Sequence, residues 1–398
     1  MRAAVEDWAL NVAAHPIGWP LARLARRLGA VVRIPGIGVV ISDAALAHEV
    51  LVRDDEFRKN GPGSFAEVLT ASLGPSALGN MDGEAHQRLR RKLNDVVTPL
   101  RAPALLQGIE APLLALRRRL DRGEPVDLVR FMRHVSGRVT FDMLGAVPPG
   151  VDGEAACVAL VALGERIASD FDLRGVPASR MQSMRRDVDA LVAYARAGYD
   201  SPAAPATSFV VRLRELGLTF DEARGVLSII FLAGTLTTAA ALPRIVALLL
   251  DAGEWGTLRR DRALVPGAIA EGLRYTSPVP ATARIASRDA VALGHRFKAN
   301  TRLIILTCNL ARDPKLFPDP DRFYPTRRHD PRARHLWFGA GPHFCLGFPV
   351  AQLELQMVLD GLLDSGDDLR IVRRTRARGV VVPAYASLVI ERIRGADR

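Results

Sequence analysis

Residues 219–252 place the tightest constraint on what this chain can fold into. Thr219 and Glu222 fit the S/T-x-x-E pattern, in which a hydroxyl and a carboxylate each satisfy the other's backbone N–H. Acidic residues in the first turn also oppose the positive end of the helix dipole. From there a helical periodicity runs for about thirty residues, enough to cross a whole molecule at roughly 1.5 Å per residue. Pro243 removes one backbone donor in the second half, which predicts a bend. The stretch is apolar, but Ser, Thr, Gly, Pro and Arg interrupt it near 226–250. It therefore reads as a buried core helix and not as a membrane span.

Further helical periodicity occurs near 84–97, 103–121, 127–145, 153–170, 180–198, 264–275 and 346–365. Short β-like runs lie at Val31–Ile34, Val39–Ile41, Ala290–Leu293, Arg302–Ile305 and Val380–Ile390. Between 311 and 344 a Pro- and Arg-rich stretch shows little periodicity, and so long an irregular segment in a compact domain is usually functional. The expected fold is a mainly α body with small β-sheets. With 48% of 398 residues apolar, a substantial core forms and wholesale disorder is excluded.

Three cysteines, at 157, 308 and 345, lack any paired spacing, which argues against a disulfide framework and suits a reducing cytoplasm. Arg2, Glu6, Asp7 and Asn11 break up the first residues, and Pro16 and Pro20 follow, so neither an export signal nor a membrane anchor is expected. The net charge of +11 comes almost wholly from arginines spread along the chain, the lysines being Lys59, Lys92, Lys298 and Lys315. Without an aromatic-interleaved basic patch, nucleic acid is not an expected partner. A solvated basic surface and a face that docks an acidic protein both remain open.

The chemistry concentrates in Phe338-Gly339-Ala340-Gly341-Pro342-His343-Phe344-Cys345-Leu346-Gly347. A cysteine that ligates iron must be a thiolate, held by donors and shielded from water. Gly339 and Gly341 permit the tight backbone that turns N–H groups toward sulfur. Gly347 clears space where the next helix passes under a flat cofactor, and that helix's N-terminal dipole favours negative charge at Cys345. Phe338 can cover the sulfur. A phosphate cradle is excluded, because the loop lacks the third glycine of G-x-G-x-x-G and no βαβ unit surrounds it.

This loop resembles the haem-binding signature F-x-x-G-x-x-x-C-x-G of the cytochrome P450 family, with all four fixed positions met. Other family motifs follow in order along essentially the whole chain. Glu271-Gly272-Leu273-Arg274 resembles the E-x-x-R motif, whose residues share one helix face. Phe323-Tyr324-Pro325-Thr326-Arg327 resembles the segment whose arginine joins that pair; the implied role of Glu271, Arg274 and Arg327 is to lock the irregular stretch. His86 and Arg90 match the H-x-x-x-R of the propionate-binding helix, and Arg284 and His343 match two further propionate partners. Two carboxylates in a protein interior need such cationic donors.

Ala233-Gly234-Thr235-Leu236-Thr237-Thr238 resembles the oxygen-activating segment A-G-x-acid-T-T. Small residues at 233 and 234 leave room above a haem face. The Thr237 hydroxyl can bond back to the carbonyl of Ala233 and open the helix locally. Leu236 stands where the family usually has Asp or Glu and cannot carry a proton. Protons then come through Thr237 and water, from a group elsewhere in the pocket, or from the substrate.

The resemblance implies a triangular-prism P450 fold with a long central I helix, one domain over 1–398. Its haem-binding core covers about 82–398, and β-rich regions lie near 28–60, 285–305 and 368–393. It implies a soluble, cytoplasmic, monomeric enzyme with haem b (iron protoporphyrin IX) ligated by Cys345. That enzyme uses dioxygen and oxidises a largely apolar small organic molecule. No reductase domain is visible, so electrons are expected from a ferredoxin and its reductase, with Arg88, Arg91 and Lys92 suited to an acidic donor. Pocket residues are expected to include Phe65, Leu78, Phe171, Ile230, Phe231, Pro280 and Tyr385. A peroxide-driven, coupling or desaturating enzyme of the same fold is the alternative within this class. A non-catalytic haem- or ligand-binding module is the alternative outside it, against which Cys345, Glu271, Arg274 and Thr237 speak.

Overall fold

The computed structural model describes the chain apart from residues 1, 62–63, 65, 68–69, 71–72, 146–152, 170–177, 329, 331–332, 334, 365–367 and 394–398. Its N-terminal part runs α1 (Arg2–Ala14), α2 (Gly18–Leu28), β1 (Val31–Ile34), β2 (Gly38–Ile41), α3 (Ala44–Val52), β3 (Phe57–Arg58) and α4 (Gly83–Asn94). The helical body follows as α5 (Glu110–Asp121), β4 (Val126–Asp127), α6 (Leu128–Leu144), α7 (Gly153–Ser169), α8 (Ala178–Asp200), α9 (Phe220–Ala252) and α10 (Val265–Thr276). Then come β5 (Thr282–Ala286), β6 (Ala290–Ala292), β7 (His295–Phe297), β8 (Arg302–Ile305), α11 (Phe348–Leu363), β9 (Leu369–Arg376) and β10 (Tyr385–Arg392).

The long helix α9 starts where its capping pattern places it. Thr219 N–H donates to Glu222 Oε2 at 2.9 Å, and Glu222 N–H returns the bond to Thr219 Oγ1 at 3.4 Å. Gly253 closes it in the left-handed region at φ 74°. The helix continues through Pro243, and nearly every residue from Thr238 to Leu249 is buried. It is long and apolar enough to cross a membrane by composition, but here it forms the centre of the core, packed against α6, α7, α8, α10 and α11. Helices α6 and α7 cross at Gly137, where a Cβ would lie 2.4 Å from the Cys157 carbonyl oxygen, so the contact demands glycine.

The strands form small sheets at the edge of this body. One sheet has the order β1-β2-β8-β5-β3, with β2 and β8 parallel and the rest antiparallel. The register pairs Arg284 with Leu303, so Arg284 projects from an interior strand. A second sheet runs β4-β10-β9, and β6 pairs with β7.

Three local differences from the sequence reading have physical causes. The periodicity over 103–121 is broken by a turn at Gln107–Ile109, because Gly108 presses against α6, with a built Cβ only 1.9 Å from Asp142 Oδ2. The final strand begins at Tyr385 and not at Val380, since Pro383 cannot donate to a ladder. Helix α1 escaped notice because its inward face carries Asp7 and Asn11. Buried Asp7 is neutralised by Arg244 of α9 at 3.0 Å and Arg312 at 2.7 Å.

Candidate active site

The approach to Cys345 is shaped by its glycines. Gly339 and Gly341 have φ of +82° and +65°, and at Gly341 a Cβ would lie 2.7 Å from the Leu51 carbonyl oxygen of α3. Phe338 O accepts the Cys345 N–H at 3.0 Å. The backbone N–H groups of Gly347 and Phe348 face the sulfur at the start of α11. Burial pushes the Cys345 thiol up, while those amides and the Arg90 guanidinium pull it toward the thiolate. The rings of Phe338 and Phe348 meet edge-to-face at 5.0 Å, with Phe344 5.5 Å from Phe348, and shield this corner. Burial pushes Cys157 and Cys308 up to about 11. Both pack in hydrophobic clusters, whereas Cys345 lines a cavity of about 550 Å³.

Across that cavity lies α9. Thr237 Oγ1 donates to Ala233 O at 2.8 Å and Thr238 Oγ1 to Gly234 O at 3.0 Å, after Thr235 Oγ1 has done the same to Phe231 O at 2.6 Å. Three back-bonds within four residues compete with the helix ladder, and a Cβ on Gly234 would meet nothing within 4 Å. Leu236 also lines the cavity and at the same time packs toward α7, its Cδ2 lying 3.5 Å from where a Cβ on Gly164 would stand.

The cavity's polar end gathers cations. His86 of α4 stacks on His343 with centroids 4.1 Å apart, and His343 Nε2 lies 3.8 Å from Asp82 Oδ1. Burial first, then neighbouring cations, push His343 down to about 4 against the pull of Asp82. Burial pushes Arg284 down to about 10. Lys59, whose Nζ reaches Thr282 Oγ1 at 3.3 Å, is pushed down to about 7 by burial and then by Arg284. Arg90 bonds Asn94 Oδ1 at 2.8 Å and lies near enough to His86 and Cys345 to interact with both. His86 Nδ1, Arg284 Nε and His343 Nε2 are buried with no hydrogen-bond partner among the described residues, Asp82 standing 3.8 Å from the last of them. Buried orphans amid excess positive charge fit a ligand that carries carboxylates.

Behind the loop, Glu271 and Arg274 of α10 are wholly buried and form a bidentate pair at 2.6 and 2.9 Å. Arg327 Nε adds 3.1 Å bonds to both Glu271 oxygens. Arg274 also donates to the carbonyls of Ala311, Pro320 and Arg322, and Arg327 to those of Pro318, Asp319 and Arg322. The irregular stretch thus hangs on two guanidinium groups around one carboxylate.

A cytochrome P450 family model matches residues 257–365. Cytochrome P450 140 of Mycobacterium tuberculosis is 31% identical over 383 residues, covering 90% of this chain and 84% of that protein. The chain belongs to the cytochrome P450 family. Luteothin monooxygenase of Streptomyces thioluteus is 30% identical over 70% of this chain and 68% of its own length. The crystal structure of the P450 CYP109B1 from Bacillus subtilis superposes with a TM-score of 0.78 over 95% of this chain and 100% of that one, at 22% identity. This P450 is accordingly a haem-thiolate monooxygenase whose cofactor is haem b.

Two parts of the P450 site were not singled out in the sequence. Lys59 and Asp82 join the cation cluster from a segment without a motif. Glu354 of α11 is buried and accepts from Ser136 Oγ at 2.8 Å, and Ser136 Oγ lies 3.1 Å from Thr238 Oγ1. Burial pushes Glu354 up to about 7, against the pull of Ser136 and Thr238. All three line the cavity that holds Thr237 and Cys345. The signal was a single acid at 354 on the face shared by Val350 and Val358 of an apolar helix.

Of the expected pocket residues, Ile230 and Phe231 line the cavity. Leu78 and Tyr385 instead pack in the main core, Tyr385 among Glu6, Arg374 and Arg244. Pro280 sits beside the wall formed by Pro278 and Val279, its carbonyl accepting the Cys308 N–H at 3.1 Å. Phe65 and Phe171 lie outside the described residues.

Proposed function

We propose that this P450 is a stand-alone bacterial-type monooxygenase, one domain over its whole length, monomeric and cytoplasmic. It oxidises a largely apolar small organic molecule with electrons from a ferredoxin and its reductase. The supporting observation is the cavity of about 550 Å³, in which Cys345 and Thr237 meet walls formed by residues such as Val139, Met143, Leu227, Ile230 and Phe231. The acidic donor is drawn to Arg88, Arg91 and Lys92, exposed on the helix that carries His86 and Arg90.

Cys345 would hold the haem iron, and His86, Arg90, Arg284, His343 and Lys59 would hold its carboxylates. Bound there, the haem supplies oxygen activation at its iron. Thr237, with its proton committed to Ala233 O, offers an oxygen lone pair to the cavity. Glu354, pushed up to about 7 by burial, keeps its proton in roughly half of the molecules at neutral pH, where a surface carboxylate would have lost it. To pass that proton on, protonated Glu354 donates to Ser136 Oγ, the Ser136 hydroxyl turns to donate to Thr238 Oγ1, and the Thr238 hydroxyl turns from Gly234 O toward the cavity. Of the three sources open at position 236, this structure favours a group elsewhere in the pocket.

The test has two stages. Shifts of the haem absorption band against a library of compounds identify ligands. The best ligand is then turned over with ferredoxin, reductase and oxygen-18 gas. One labelled oxygen atom in the product is expected. Oxidation with hydrogen peroxide but none with the reducing system would overturn the reading.

A further inference from the structure

The turn between β9 and β10, residues 377–384, supplies Val381 and Val382 to the cavity wall. Little within the turn fixes its shape. Ala377 N–H donates to Ala384 O at 3.0 Å across its base, and Pro383 has no N–H to offer. Other bonds reach it from outside. Gly379, at φ +62°, donates its N–H to Ala13 O of α1 at 3.2 Å. Arg244 of α9 donates from Nη1 to Pro383 O at 3.1 Å and from Nη2 to Asp7 of α1 at 3.0 Å. His15, just past the end of α1, stands with Nε2 3.2 Å from Val381 O. A segment with so few bonds of its own takes its position from such partners. Here they are α1, the residue that follows it, and an arginine that α1 neutralises.

This support is firm. Buried Asp7 also pairs with Arg312 at 2.7 Å, and Glu6 pairs with Arg374 and Arg376 of β9. The His15 backbone is fixed on both sides, at the corner that Pro16 forces between α1 and α2. Its N–H donates to Asn11 O at 2.9 Å, and its carbonyl accepts the Trp19 N–H at 3.0 Å. Burial pushes the imidazole down against the pull of the Val381 carbonyl, so at pH 7 it is neutral and holds one proton. A carbonyl oxygen only accepts, which places that proton on Nε2.

A ligand that needs more room at Val381 must push the turn outward and break this bond. We propose that His15 is a specificity-determining positioning residue, a role that rests on reading this cavity as the substrate site. By holding Val381 O it sets how far the Val381–Val382 wall stands into the cavity, and so disfavours larger molecules. His15 does not line the cavity and acts only through the backbone of Val381.

The test is titration of the full-length haem-loaded protein with 4-phenylimidazole and with its longer biphenyl analogue, each followed by the shift of the haem band. Wild type, His15→Ala and His15→Gln are compared. In His15→Ala the biphenyl compound has no bond left to break on entry. Its Kd is expected to fall about fivefold, the net worth of one hydrogen bond, while that of 4-phenylimidazole stays as in wild type. His15→Gln, whose amide donates from a similar position, is expected to keep the wild-type ratio. Melting temperature and haem content should not change in either variant. The proposal is overturned if the ratio of the two Kd values in His15→Ala matches wild type, or if the glutamine variant follows the alanine one. It is equally overturned if both Kd values rise together as the melting temperature falls, which would make the bond a structural one. These outcomes leave the substrate-site reading standing, since oxygen-18 incorporation tests it separately. A wild type whose haem band neither imidazole shifts overturns both.

Discussion

Exchanging Glu354 for glutamine preserves the side chain's shape and removes its proton chemistry. The carboxyl is pushed from 4.5 up to about 7 by burial, so the folded protein binds this proton more tightly than the unfolded chain. Stability from this group is therefore greatest below pH 4.5, falls as pH rises toward 7, and is flat above that. At roughly 1.4 kcal/mol per pH unit, the whole change amounts to about 3 kcal/mol, some 2 kcal/mol of it between about pH 5.5 and 8. Taking an unfolding entropy of roughly 2 cal/mol/K per residue, a chain this long has about 0.8 kcal/mol/K, so 2 kcal/mol corresponds to about 2–3 °C. Glutamine cannot ionise. The difference in melting temperature between Glu354→Gln and wild type, followed by circular dichroism, should therefore grow by about 2–3 °C in the variant's favour from pH 5.5 to 8. Coupling should fall in parallel, with more of the consumed electrons appearing as hydrogen peroxide and with the wild-type pH dependence near 7 flattened. Melting profiles that run parallel across this range would mean that Glu354 ionises like a surface acid and holds no proton at neutral pH.

Leu236→Asp should lower the peroxide fraction and partly rescue Glu354→Gln, at a stability cost of about 1–3 kcal/mol for a polar group packed against α7; unchanged peroxide yield in both backgrounds refutes the relay. Lys59→Met removes one charged donor from the cation cluster and should speed haem loss to a scavenger globin by about tenfold, measured by absorbance; an unchanged rate places Lys59 outside the carboxylate site. Arg274→Leu leaves Glu271 buried beside Arg327 alone and should cost about 3–5 kcal/mol, read as a lower melting temperature and lower haem content; a loss under about 1 kcal/mol contradicts the locking role.

The long helix was legible because its signals are local. Thr219 and Glu222 are three residues apart, and a capping box forms whatever the rest of the chain does. The Cys345 loop was legible for a similar reason, since a buried thiolate constrains a short run of residues. Long-range pairing hid the rest. Asp7 looked like an interruption of α1 until Arg244 and Arg312, more than two hundred residues away, arrived to neutralise it. Glu354 reads as a stray acid until Ser136 and Thr238 converge on it from two other helices. Tyr385 looked like a pocket aromatic, yet the β9–β10 pairing turns it into the core. Leu236 was recognised as a departure, but its packing against Gly164 of α7 belongs to tertiary structure.

Everything proposed for the cavity depends on sulfur bonding to iron. The most direct measurement is the absorption spectrum of the haem-loaded protein, reduced and exposed to carbon monoxide, for wild type and Cys345→Ser. The account predicts the thiolate-type carbonyl spectrum in wild type and its loss in the serine variant. A histidine-type spectrum in wild type that the substitution leaves unchanged would contradict it.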